Sequence, residues 1–141
     1  MDELNSVYHD NPNKAPKVIF IMHGTFDSYF YHNSCVRITY PMTIIGAGQD
    51  KTFLSGYAFE IQGTKEDGKS VVLEEMTTSS GLFWSGLCAN NGLSFLCNRV
   101  TFTKCGLSGV VAENTTGRLI NQLCYHTVRL EWNSVWRECI D

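Results

Sequence analysis

Val71-Val72-Leu73-Glu74-Glu75-Met76-Thr77-Thr78 and, 24 residues later, Phe95-Leu96-Cys97-Asn98-Arg99-Val100-Thr101-Phe102 repeat one pattern of residue kinds. An apolar triplet, a polar pair and a second run ending in threonine and apolar residues recur in the same order. A little further on, an offset of 23 brings Trp84 onto Leu107, Gly86 onto Gly109, Leu87 onto Val110, Ala89 onto Ala112 and Asn91 onto Asn114. A third copy is expected where Phe95-Leu96 maps by 24 onto Leu119-Ile120. An earlier one begins at Ala58-Phe59-Glu60-Ile61-Gln62-Gly63 and is interrupted by the polar stretch Thr64 to Lys69.

A period of 23–24 residues, rich in β-branched and aromatic residues and punctuated by Gly, Asn and Ser, has few physical solutions. A strand residue rises ~3.3 Å, so one repeat makes a flattened coil of three short strands and three bends. Coils then stack at the spacing of paired strands, each strand lying parallel to its copy in the next coil. Leucine-rich repeats have a similar length but need a Leu-x-x-Leu-x-Leu frame, which this sequence lacks. A β-sandwich has no reason to repeat residue kinds position by position. The expected fold is therefore all-β, a short right-handed parallel β-helix of about four rungs. Val71, Phe95 and Leu119 should form one inward column, and Met76, Val100 and Cys124 another. The polar pairs fall at a bend, which puts Glu75 beside Arg99, and Asn91 over Asn114 predicts an amide ladder at a second bend.

Outward from these repeats, residues 1–16 are polar, contain Pro12 and Pro16, and read as a flexible arm. Residues 17–141 read as the β-helix domain, with 125–141 a candidate end cap. The 141 residues suit one domain, and 43% hydrophobic against 18% charged residues is enough to build a core. A net charge of −3 gives no electrostatic footprint for nucleic acid. No apolar run reaches the ~18 residues of a membrane span, so no membrane partner is expected. The acidic start, Met1-Asp2-Glu3-Leu4-Asn5, has no apolar segment behind it and does not read as a secretory signal. On that basis the six cysteines (Cys35, Cys88, Cys97, Cys105, Cys124, Cys139) are expected to be reduced thiols in an intracellular compartment or a virus particle. They form no Cys-x-x-Cys, the four histidines form no His-x-x-x-His, and neither a metal nor another cofactor is expected.

The stretch from Tyr40-Pro41-Met42-Thr43-Ile44-Ile45-Gly46-Ala47-Gly48 through Gly109 to Asn121 resembles right-handed parallel β-helix proteins of the pectin lyase-like superfamily. It is similar in particular to the short β-helix repeat proteins of algae, protists and large DNA viruses. The resemblance covers roughly residues 17–121 and implies a fold more than an activity. Many members of that superfamily cleave or modify acidic polysaccharides, and their hydrolases need paired aspartates beside His-Gly and Arg-x-Lys. This sequence has no aspartate between Gly68 and Ile140, a lone His23-Gly24, and no Arg-x-Lys. Glu74-Glu75 reads as a solvated acidic bend. Gly46-Ala47-Gly48-Gln49-Asp50-Lys51-Thr52 is no phosphate loop, because Asp50 stands where Gly is required. Asn114-Thr115-Thr116 matches a glycosylation sequon but fits the amide ladder better.

The expected function is thus a non-catalytic structural or interaction module with protein partners or self-association, as in a virus particle or another large intracellular assembly. The alternative is a carbohydrate-binding or polysaccharide-modifying protein. Its candidate sugar-stacking residues are Tyr29, Tyr31, Phe83 and Trp84, for which core filling or a partner contact is the competing reading. After Asn121 the Gly-punctuated pattern stops. Trp132, Val135, Trp136 and Cys139 fall at i, i+3, i+4 and i+7, the stripe of a short capping helix, while Val128, Leu130 and Trp132 alternate as a strand would. Trp132, Val135 and Trp136 are the candidate interface or capping residues.

Overall fold

The computed structural model describes residues 16–28, 34–66, 68–80, 84–122, 128–131 and 135–139. Among these described residues thirteen strands follow one another: β1 (Val18–Phe20), β2 (Gly24–Asp27), β3 (Ser34–Ile38), β4 (Thr43–Ile45), β5 (Thr52–Ser55), β6 (Tyr57–Ile61), β7 (Ser70–Ser79), β8 (Leu87–Asn90), β9 (Ser94–Phe102), β10 (Val110–Glu113), β11 (Gly117–Gln122), β12 (Val128–Glu131) and β13 (Val135–Cys139). Every pairing among these strands is parallel. One sheet runs β1-β4-β7-β9-β11-β13, with β2 and β5 forming a branch that joins the second half of β7. The other runs β12-β10-β8-β6-β3. The protein is a parallel β-solenoid of about four turns, with no helix among the described residues.

The two long copies pair as their repetition requires, Val71 with Phe95, Leu73 with Cys97, Met76 with Val100 and Thr78 with Phe102. The inward residues stack in columns. Ile44, Leu73, Cys97 and Leu119 make one, and Val36, Phe59, Leu87 and Val110 make the facing one, all 5% exposed or less. At the corner inside β7 and β9 the backbone turns through a single left-handed residue, Glu75 (φ 58°) and Arg99 (φ 53°). That conformation costs a residue with a Cβ roughly 1–2 kcal/mol. It is partly offset by the ion pair between the two side chains, 3.1 Å on a surface where such pairs are worth about 1 kcal/mol at most. The amide ladder is present: Asn114 Nδ2 donates to Asn91 Oδ1 at 2.9 Å, and both residues have positive φ. A second ladder, Asn121 Nδ2 to Asn98 Oδ1 at 2.9 Å, lies at the next corner, where the offset of 24 does not place it.

Two expectations need correction. Phe95 pairs with Gly117 and Cys97 with Leu119, so the third repeat is offset by 22 and not 24. Asn90 pairs with Glu113, so the path from Glu113 to Gly117 is one residue shorter than the path from Asn90 to Phe95. Gly117 then leaves the space that the Phe95 ring occupies, since a Cβ there would collide with the ring. The stripe of Val135, Trp136 and Cys139 is no helix but strand β13, with Val135 opposite Gly117 and Trp136 opposite Arg118. Parallel pairing with β11 satisfies backbone groups that a helix across the end would leave open. Val128 and Leu130 lie in strand β12, which pairs with β10, as the strand reading of the tail expects. Cys124 and Trp132 lie outside the described residues.

Candidate binding groove at a corner of the stack

Unequal corners make a concave feature on the polar surface. From β8 into β9 the backbone turns over Asn91 to Leu93, and from β10 into β11 over Asn114 to Thr116. From β6 into β7, by contrast, it takes residues 62–69. The longer corner projects and forms a step above the two tight ones. Gly92 makes the close fit possible, because any Cβ there would collide with the Gly63 carbonyl. Leu93 N–H donates to the same carbonyl at 3.3 Å.

The step encloses a groove of about 920 Å³ lined by Gln62, Gly63, Thr64, Lys65, Asn90, Asn91, Gly92, Ser94, Asn114, Thr115 and Thr116. Amides and hydroxyls dominate, and among the described lining residues Lys65 is the one with an ionisable side chain. Part of the polar capacity holds the corner together. Thr115 Oγ1 donates to the Leu93 carbonyl at 2.7 Å, and Ser70 Oγ and Ser94 Oγ are 2.7 Å apart. Chemically the groove offers neutral donors and acceptors on a rigid frame, a surface for recognising hydroxyls and amides. Nothing in the repeat pattern signals it except the insertion Thr64 to Lys69, whose consequence depends on the corners beside it being short.

A second cluster sits on the outer face of the β3–β6–β8 sheet. Glu60 accepts from Arg37 Nε at 3.2 Å and from Cys35 Sγ at 3.3 Å, and also from Gln62 Nε2. Partial burial, helped by the Glu60 carboxylate that accepts its proton, pushes the Cys35 thiol up to about 11. Burial also raises Cys88, and raises fully buried Cys97 further. These thiols are poor nucleophiles near neutrality. Because the folded value for Cys35 lies above the usual 9.0, its stabilising contribution is full below pH 9.0 and fades as pH rises through about 11. Alkylation of Cys35 should therefore accelerate only in that upper window, and Glu60→Gln should move the onset to lower pH. Mass spectrometry after timed iodoacetamide treatment across pH reads this directly; an onset unchanged by Glu60→Gln would contradict it.

Of the candidate residues named from sequence, Trp84 is described and 42% exposed. Tyr29, Tyr31, Phe83 and Trp132 lie outside the described residues, and Val135 and Trp136 are placed only as positions on β13. The segment Gly46 to Thr52 closes on itself, with Ala47 N–H donating to Thr52 Oγ1 at 2.8 Å and Thr52 N–H to the Gly48 carbonyl at 2.9 Å. Thr52 is wholly buried, which gives that loop a structural role. The four described cysteines, Cys35, Cys88, Cys97 and Cys105, are free. Among the described residues no group of three or more His, Cys, Asp or Glu is arranged to hold a metal ion. No described helix is long and apolar enough to cross a membrane. No family model, no curated protein and no solved structure matches the sequence.

Proposed function

We propose that the protein is a non-catalytic interaction module that engages a protein partner, or a second copy of itself, through its first rung. The observation that carries this reading is a row of large apolar side chains left in solvent. Phe20 is 74% exposed, Met22 73%, Val18 49% and Phe26 39%. They lie on or between β1 and β2, which end the order of their sheet branches among the described residues and present strand edges there. An apolar edge of this kind is either covered by a partner or prone to uncontrolled pairing. Membership of the pectin lyase-like superfamily and a place in a virus particle or large intracellular assembly are finer versions of the same proposal. They are supported only by the β-solenoid form and the resemblance of residues 17–121.

Light scattering on the purified protein tests it. The wild type should run well above 15.9 kDa, alone or with a co-purifying protein. The pair Phe20→Asp and Met22→Asp should run as a monomer with an unchanged melting temperature, since both side chains are mostly in solvent. A wild type that is monomeric, with nothing bound, would sink the reading. The corner groove favours a second one, recognition of a polyhydroxylated ligand such as a glycan. Saturable binding on a glycan array, abolished by Asn91→Gly with Asn114→Gly, would favour that alternative. Glycine keeps the positive-φ backbone and removes only the amides.

A further inference from the structure

The sequence holds a single Asn-Gly dipeptide, Asn91-Gly92, and the fold requires it. The corner takes a left-handed residue at 91 (φ 48°), for which Asn is the cheapest residue with a side chain. Position 92 tolerates no Cβ because the Gly63 carbonyl stands in its place. The equivalent corner one rung on meets no such pressing insertion and reads Asn114-Thr115. The stack therefore builds, at an exposed corner of the groove, the dipeptide most susceptible to intramolecular attack, because glycine places no side chain in the path of its own backbone nitrogen.

We infer that Asn91 is a self-modification site whose rate is governed by the amide ladder. In that reaction the Gly92 backbone nitrogen attacks Asn91 Cγ and forms a new bond between the two atoms. The bond from Cγ to Nδ2 breaks, and Nδ2 leaves as ammonia with the proton lost from Gly92. Water then opens the five-membered ring to aspartate or isoaspartate. Ring closure needs Cγ to swing onto the next residue's nitrogen. In the native corner Asn91 Oδ1 is instead held by Asn114 Nδ2 at 2.9 Å, and Asn91 N–H is tied to the Glu113 carbonyl at 2.9 Å. The ladder is thus a restraint on the chemistry as well as a structural contact. Release of the corner changes the groove, since a carboxylate at 91 joins a lining in which Lys65 is the ionisable side chain among the described residues. Ring opening to isoaspartate also inserts a backbone methylene at a corner that has no slack.

Peptide mapping of the full-length protein during incubation near neutral pH tests this, with gain of mass and isoaspartate read at Asn91. Four samples are compared: native wild type, wild type unfolded in urea, native Asn114→Gly, and native Asn121→Gly. The last breaks the sister ladder to Asn98 and so controls for general loosening. The native wild type should react at least about tenfold more slowly than the unfolded protein, because reaction must wait for local opening. Asn114→Gly should react about five- to tenfold faster than native wild type, the factor expected for one lost hydrogen bond. Asn121→Gly should match the wild type. Equal native and unfolded rates would overturn the inference. So would an Asn114→Gly rate equal to the wild type, or equal acceleration by both variants.

Discussion

Val100→Asp should lower the unfolding free energy by at least about 3 kcal/mol, a large part of the ~5–15 kcal/mol that holds a domain together. Val100 is fully buried and lies directly against Met76, also fully buried, in the adjacent rung. A carboxylate there either stays charged without a partner or takes up a proton, and both states cost free energy that valine does not. A substitution on the projecting corner, Lys65→Ala, should stay within about 0.5 kcal/mol, the usual range for exposed sites. Lys104 is a different kind of control. Its place at a bend suggests that Lys104→Ala is silent, but its backbone is left-handed (φ 50°). Alanine therefore keeps that strain while glycine relieves it, and Lys104→Gly should be the more stable of the two. Urea denaturation midpoints rank all four variants, and equal shifts for Val100→Asp and Lys65→Ala would show that the rungs do not stack as described.

Gly117→Val should be nearly as damaging, costing about 3 kcal/mol, at the upper end for overpacking a core. The reason lies one rung away. Three atoms of the Phe95 ring occupy the volume that a Cβ at 117 requires, and Phe95 is itself only 2% exposed. Either the ring leaves its column or β11 separates from β9. The substitution should be strongly non-additive with its neighbour. Phe95→Leu alone weakens the core, but in the Gly117→Val background it restores room and should recover at least about 1 kcal/mol. Denaturation of the four members of that cycle measures the coupling, and simple additivity would contradict the contact.

Gly117 also shows where the sequence is hard to read. The offset of 24 between β7 and β9 is legible because every inward position has an inward counterpart, and the Glu75–Arg99 pair follows from it as Asn91–Asn114 follows from the offset of 23. Glycine ordinarily signals a turn or a weak strand. Here it sits in a strand because an aromatic ring from the previous rung fills its place, information that belongs to residue 95. The tail misleads for a related reason. A stripe at i, i+3, i+4 and i+7 over so few residues fits a helix, but the open edge of β11 makes a strand at Val135–Cys139 the better partner. The corner groove is not a motif at all. It arises from the difference between one long corner and two short ones, so no single residue reveals it.

All of these expectations depend on rungs stacked in this register, and nuclear Overhauser contacts between the backbones of β9 and β11 test it most directly. Cross-strand contacts should link the Phe95 backbone with that of Gly117 and Cys97 with Leu119, with the Phe95 ring protons also close to the Gly117 α-protons. Backbone contacts that link Phe95 with Leu119 instead, at an offset of 24, or an antiparallel pattern between the two strands, would contradict the stack.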